Sequence, residues 1–546
     1  MKQFRPPVAD ALLEKYNFFE LYPFDGGGYF IQKEIVGSLN DREITRRILQ
    51  GALADFGSLD ELDFIKFERW STIEKSCWIN RMYFIVSLAR CAMLDKDAAL
   101  AGRIAAIISR FNRMYRPPFG REEVQALQRE VTLRRDRDYN SGNAMGEVSY
   151  QWYDFQPASR IINVINAMHF LRDFTLPQEE FIRFIRNNAQ VIMDADDEHS
   201  LKPGNHQALR GLALLYAGNF LDEPEYIRAG NIVCNYHMTQ DYLPDGMLID
   251  MSPSYHVFEA WIGRDALALG TISKEAQEML EKAFRICREF RQPDGSSIVL
   301  NDGYSLDMRG FLESAGKSAS PEESFVLPHS GMAFFHSPEV FAALDATPCR
   351  GKYSHYHGGK NGVTLWFAGQ PFLVDSGCCS YDDEDFWNWY KLPEAHSTLL
   401  VNGKGDSELR GRYDWIKARE YRMDGAWKDN SIECASDSWQ RRLSVPASNE
   451  VLISDDVQLP EPASLEFLFI LHPAVAVSFK EERIVLGNDQ TQVLLRWEAD
   501  APVSWKLSPG KCFIADRSVP GLRLHLCANV ASFSMRTFWN LENKPE

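Results

Sequence analysis

Two imidazoles and a carboxylate, His357, Asp375 and His396, stand close together in the second half of this 546-residue chain. They lie in the segments Ser354-His355-Tyr356-His357-Gly358-Gly359, Leu373-Val374-Asp375-Ser376-Gly377 and Ala395-His396-Ser397-Thr398. Imidazole nitrogen with carboxylate oxygen is a natural donor set for zinc or a similar divalent ion. Histidines in such segments more often serve as satisfied polar groups of a sheet, so spacing alone leaves both readings open. Whatever they do, strands must position them. Val363 to Ala368 alternates like one strand, Pro371 to Val374 like its return, with Gly369-Gln370 at the turn.

The His-x-His, the Leu-Val-Asp-x-Gly turn and the Ala-His-Ser-Thr segment resemble the C-terminal sheet domain of heparinase II/III-like polysaccharide lyases. That group includes heparin, chondroitin and alginate lyases. Two segments of the first half complete the likeness: Lys202-Pro203-Gly204-Asn205-His206-Gln207, and Asp245 to His256 with its Ser252-Pro253-Ser254-Tyr255-His256 end. The resemblance implies that Asn205 and His206 line a cleft, that Tyr255 is the catalytic tyrosine and that His355 is a catalytic histidine supplied by the sheet domain. It further implies that His357, Asp375 and His396 hold a structural divalent metal, with zinc the first choice and manganese or calcium the alternatives. The chain departs from the pattern at Gly359, where such sequences often carry an acid, and at Asp250, where many carry Glu.

The reaction implied is β-elimination at a 4-linked uronate. The C5 proton is only weakly acidic while the neighbouring carboxylate is charged, so a neutral donor such as the Asn205 amide would stabilise the enolate-like charge that develops. A base takes the proton and an acid protonates the departing oxygen at C4. Tyr255 suits the acid. As base it would need a nearby cation, since with a reference pKa of about 10 only about one phenol in a thousand is ionised at pH 7. Otherwise His206 or His355 is the base. Bland readings stand beside these: Asn205 as a helix N-cap, Tyr255 as a core tyrosine, His355 as a strand-edge histidine. His256 reads as structural. Among the aromatic residues Trp152, Tyr153 and the Trp387 to Tyr390 cluster, the cluster is the candidate sugar platform. Arg46-Arg47 and Arg134 to Arg137 read as solvated faces.

Apolar residues make up 45% and charged ones 25%, ordinary for a globular protein. The net charge of −17 excludes nucleic acid and anionic membranes as expected partners. It also sits awkwardly with an acidic polysaccharide or oligosaccharide substrate, which would require a locally basic groove. There is no eighteen-residue apolar run. The start of the chain lacks the apolar core of a secretory signal, so a cytoplasmic location is expected unless a leader is missing from this sequence. The ten cysteines show no CxxC spacing and read as free thiols.

Up to about position 320 the apolar residues recur at helical spacing, as in Lys75 to Leu94, Ala158 to Phe174, Glu179 to Met193, Ala208 to Phe220 and Lys274 to Phe290. Beyond it, short alternating runs punctuated by turns take over. One switch of period predicts a helical domain over 1–320 and an antiparallel β-sheet domain over 321–546. The resemblance sharpens these to an incomplete (α/α) toroid followed by a β-sandwich-like domain. Two other functions remain open at this point: a glycoside hydrolase on the same toroid, with Asp245 and Asp250 as its carboxylates, and a glycan-binding protein without activity.

Overall fold

The computed structural model describes residues 41–53, 57–64, 77, 79–139, 150–196, 200–306, 308–350, 355–379, 381, 383–411, 414–480, 483–514 and 517–542, with the pairs 21–22 and 31–32. The predicted helix start at Lys75 lies outside them. Helices occupy the first part, among them Phe84–Asp95, Ala98–Met114, Gln156–Phe170, Gln178–Ala195, Asn205–Leu221, Pro224–Gln240, Pro253–Leu269 and Lys274–Glu289. The last is Met308–Ser314, and the antiparallel strands begin at Ser324.

The outer helices carry one apolar stripe. In Lys274–Glu289 the buried residues Ala276, Leu280, Ala283, Phe284 and Cys287 recur every three or four positions, and the Ser273 hydroxyl caps the start by accepting from the Ala276 amide. Asn205–Leu221 is different, being buried on nearly every side. It can pack so closely on Pro224–Gln240 because glycines face the partner: a Cβ at Gly211 would come within 2.6 Å of Val233. This helix starts three residues before the predicted Ala208, at a turn made by Gly204 with φ of 146°.

Apart from two separate two-stranded pairs, the described strands form one extended antiparallel assembly. Its spine is the pair Glu450–Leu471 and Arg517–Glu542, and from Glu450–Leu471 the sheet continues through Gln370–Leu373, Gly362–Phe367, Val340–Asp345 and Met332–His336 to Ser324–Leu327. Alternation decides which core each side chain joins. Phe334 and Phe341 belong to the helical core, whereas Phe335 and Ala342 belong to the second core with Phe467 and Trp539. The first strands are therefore covered by helices on one face and by sheet on the other. The turn between Gly362–Phe367 and Gln370–Leu373 uses Ala368 and Gly369, both at positive φ. That is one residue earlier than predicted, and it matches the paired left-handed residues of a type I′ hairpin. No described helix is long and apolar enough to cross a membrane.

A buried ion pair ties the sheet to the loop that carries His396. Arg441 and Asp455 are 0% and 1% exposed and 2.8 Å apart, and Arg441 also donates to the Asn361 and Ser397 carbonyls at 2.7 and 3.1 Å. Arg441→Ala would strand the Asp455 carboxylate in the core. The expected loss is about 3–5 kcal/mol, read as a fall in the urea midpoint of the sheet domain's unfolding.

Candidate active site

A cavity of about 650 Å³ opens where the first turns of Asn205–Leu221 and Pro253–Leu269 meet the loop around Asp302 and the segment bearing His355. Each helix start is built to aim a side chain into it. Gly204, not Asn205, is the N-cap residue, and no side chain caps this helix. The buried Asn205 instead turns its amide toward Asp250, with Nδ2 3.5 Å from Oδ2. The N-cap reading of Asn205 is thereby replaced. At the other helix Ser252 caps the Tyr255 amide, and Pro253 at the first position fixes the entry.

Tyr255 stacks flat on His355, ring centroids 3.8 Å apart at 21°. Its hydroxyl lies 2.9 Å from that of Tyr381. Tyr381 in turn donates to Asp302 Oδ2 at 3.2 Å. The same oxygen accepts from His355 Nδ1 at 2.8 Å, and Oδ1 accepts from His357 Nε2 at 2.8 Å. Lys391 Nζ, 0% exposed, approaches Oδ1 at 3.4 Å. Burial would raise the Asp302 carboxyl, but Lys391 and the hydrogen bonds from the two histidines prevail and hold it well below the ordinary range. Gly303, at φ 136°, lets this loop lie against the helix start, since a Cβ there would come within 1.9 Å of Ser254 Oγ. Asp250 lies 3.9 Å from His355 Nε2. Burial raises its carboxyl pKa, with His355 opposing.

His206 reaches the cavity from the helical side, its Nδ1 2.5 Å from Asp154 Oδ2 and its ring 4.4 Å from that of Phe155. Arg81, Arg135, Lys202 and Arg210 also line the cavity. Asp154, Asp196, Asp250 and Asp302 line it too, so four basic side chains are matched by four acidic ones and the lining is not the basic groove expected for an acidic polymer. Asn205, His206, Tyr255 and His355 are thus brought to one cavity. The sequence reading missed Asp302, Tyr381 and Asp154. Asn301-Asp302-Gly303 reads only as a turn, and nothing in the sequence ties Tyr381 or Asp154 to the histidines they meet.

The three residues read as metal ligands are partly gathered. His396 meets an acceptor at each nitrogen, Nε2 the Tyr390 carbonyl at 2.9 Å and Nδ1 the Asp375 carboxylate at 2.8 Å. The His357 and His396 ring centroids are 5.5 Å apart. His357 donates a hydrogen bond from Nε2 to Asp302, and its buried Nδ1 has no hydrogen-bond partner among the described residues. Burial lowers the His357 pKa to about 4, so the ring is neutral near pH 7. A divalent cation taking the place of the His396 Nδ1 proton would leave two Nδ1 donors beside a carboxylate, each ring oriented by a hydrogen bond from its far nitrogen. The tightest convergence of such donors among the described residues is a different group, Asp302, His357 and Cys378, within 4.8 Å. Asp302 there is already engaged by two imidazoles and Lys391, and burial keeps the Cys378 thiol protonated. Gly359 has no room for the acid found in similar sequences, because its Cβ would lie 2.8 Å from that of His396. Asp406 accepts from the Gly359 and Lys360 amides at 2.9 and 3.0 Å instead.

Other expectations are corrected or settled. Trp387 and Tyr390 pack with Phe386, Cys378 and Cys379, and Trp389 donates to the Lys511 carbonyl at 3.0 Å. None of the three lines the cavity, so this cluster is packing and not a platform there. Asp245 is held by Ser330 at 2.9 and 3.0 Å and does not face Asp250 across the cavity, which removes that hydrolase pair. His256 is buried, with Nε2 on the Ala283 carbonyl at 3.0 Å, as a structural histidine should be.

Residues 50–320 match the heparinase II/III N-terminus and residues 319–520 the heparinase II/III-like C-terminal domain. The chain belongs to the heparinase II/III-like family. A curated relative, the heparin-sulfate lyase of Pedobacter heparinus, is 22% identical over 280 residues, 44% of this chain and 41% of the relative. The chain thus spans less than half the length of that relative. The crystal structure of heparinase III aligns with a TM-score of 0.69 at 14% identity, over 98% of this chain and 89% of the other. Chondroitin AC lyase of Streptomyces coelicolor A3 aligns at 0.54 and 9% identity, over 92% and 79%. The helical-then-sheet architecture of this family is the one observed.

Proposed function

We propose that this chain is a polysaccharide lyase that cleaves a 4-linked uronate glycan by β-elimination, with a glycosaminoglycan such as heparan sulfate, chondroitin or hyaluronan as substrate and alginate as the alternative polymer. The observation that carries the reading is Tyr255 on the wall of the cavity, its ring stacked on His355, sharing that cavity with the Asn205 amide and His206. Asn205 would hydrogen-bond the uronate carboxylate and stabilise charge as the C5 proton leaves. Tyr255 would protonate the departing C4 oxygen. His206 takes the C5 proton where proton and leaving group lie on opposite faces of the sugar, and Tyr255 serves both steps where they share a face. The names of the relatives favour a glycosaminoglycan over alginate. Incubation with heparan sulfate, chondroitin sulfate, hyaluronan and alginate separately, followed by ultraviolet absorbance, tests the reading. The new C4–C5 double bond absorbs, so a rise with one polymer identifies it. A flat trace with every polymer and with short oligosaccharides from each would end the lyase assignment.

His357, Asp375 and His396 are read in the same proposal as the ligands of a divalent metal, zinc first. Its charge would hold the His355–His357 segment and the His396 loop in register, leaving His355 facing the cavity. Treatment with a chelator is then expected to lower the melting temperature by about 5 °C or more, with recovery on adding zinc. Elemental analysis should find one metal per chain in the wild type and none in His396→Ala. A wild-type chain without metal, melting identically with and without chelator, would end the metal reading.

A further inference from the structure

We propose that Asp154 is a positioning residue for His206, fixing its ring with Nδ1 protonated and Nε2 open to the cavity, and that Arg210 and Asp196 lock Asp154 in that role. Only the consequence for turnover rests on the lyase reading.

His206 is the second residue of its helix, and its side chain is 48% exposed. An exposed imidazole left to itself samples several rotamers and both neutral tautomers. This one is restrained on two sides. Phe155 lies against the ring at 4.4 Å, backed by the Arg81 guanidinium 4.4 Å from the Phe155 centroid. Asp154 Oδ2 meets Nδ1 at 2.5 Å. A carboxylate can only accept, so Nδ1 must hold the proton. The lone pair of the neutral ring then resides on Nε2, which no hydrogen bond among the described residues engages.

The restraint is itself built. Arg210 stands one helical turn after His206, so both side chains leave the same face of the helix. Arg210 gives one nitrogen to Asp154 Oδ1 at 2.9 Å and forks onto Asp196 at 2.5 and 3.0 Å. Asp154 is therefore held between the histidine it orients and the arginine that neutralises it. Burial alone would raise its carboxyl, yet His206 and then Arg210 outweigh that and keep it ionised. Asp154 also adopts φ of 55°, which a non-glycine residue rarely takes. Its amide is pinned by Gln128 Oε1 at 2.8 Å, and Gln128 Nε2 holds the Trp152 carbonyl at 2.9 Å. A salt bridge serving only to anchor Arg210 would not need the second oxygen turned toward His206. The arrangement matches the chemistry of a base whose tautomer is set by a buried carboxylate.

The test is the tautomer. With ¹⁵N-histidine labelling, the His206 signals are assigned among the 12 histidines by their loss in His206→Gln. In the wild type Nδ1 is expected to be the protonated nitrogen of the neutral ring. Asp154→Asn should move a large share of the proton to Nε2, and Asp154→Glu should keep it on Nδ1. On the polymer that the wild type cleaves, Asp154→Asn should lower kcat by between about tenfold and a thousandfold with KM within about threefold. Asp154→Glu should recover most of that loss. A wild-type ring protonated on Nε2 overturns the proposal without any variant. So does a folded Asp154→Asn whose tautomer and kcat match the wild type. If the wild type cleaves nothing, the lyase reading fails and the tautomer measurements still decide this one.

Discussion

Tyr255→Phe should remove nearly all ultraviolet-absorbing product while leaving the fold and substrate binding in place. The substitution deletes one oxygen. The ring that stacks on His355 at 3.8 Å is kept, and so is the start of the helix, where the Ser252 cap holds the backbone of residue 255. What goes is the hydroxyl 2.9 Å from Tyr381, the group placed to protonate the leaving oxygen. Loss of a general acid costs about 10²- to 10⁴-fold. If the same phenol also takes the C5 proton, both proton transfers vanish together and the upper end applies. KM should stay within about threefold, since the phenol contributes little to ground-state binding. Tyr381→Phe gives the internal comparison. Tyr381 lines the same cavity but its hydroxyl is held by Asp302 and is not the proposed acid, so a loss of about tenfold is expected. The measurement is initial rate of absorbance increase against substrate concentration, with circular dichroism to show the fold. A Tyr255→Phe protein that retains more than a tenth of wild-type kcat would remove Tyr255 from the mechanism.

The helical-then-sheet order was legible because it is written locally: helix stripes and strand alternation need no partner to be visible. The helical side of the cavity was legible through the resemblance instead: Asn205, His206 and Tyr255 stand in segments similar to those of the family, while the local pattern alone began the first of these helices at Ala208, three residues late. The residues that complete the site are not written locally. Asp302 meets His355 and His357 more than fifty positions away, and Tyr381 meets Tyr255 across 126. Asp154 meets His206 only because a loop with an unusual φ folds back on that helix. The misassigned Trp387 to Tyr390 cluster shows the converse. Its composition suits a sugar platform, but side-chain direction is set by packing on Cys378 and Cys379, which no local pattern reveals.

Asp302→Ala should be among the most destabilising single changes in the chain, at a cost of about 3–5 kcal/mol. Asp302 is 1% exposed and sits where helices and sheet join. Its carboxylate neutralises Lys391, which is itself fully buried, and accepts a hydrogen bond from each of two imidazoles. Its backbone works in the same joint, the amide donating to the His355 carbonyl at 2.9 Å and the carbonyl accepting from Ser252 Oγ at 2.6 Å. Alanine keeps those backbone bonds and removes the charge, leaving the Lys391 ammonium without its nearby carboxylate. The pH dependence follows from the sign of the shift. The folded carboxyl lies below its unfolded value of about 3.9. Its stabilisation is therefore fully present above about pH 4 and fades only in strong acid, so wild type and variant should differ most at neutral pH and converge as the pH falls. Removing the buried cation as well should recover part of the loss: Asp302→Ala with Lys391→Met is expected to be more stable than Asp302→Ala alone, by about 1–2 kcal/mol. Urea unfolding of the four proteins of this cycle at neutral pH gives the coupling. A double variant no more stable than Asp302→Ala would mean that Lys391 finds another partner, and that Asp302 acts through the two histidines alone.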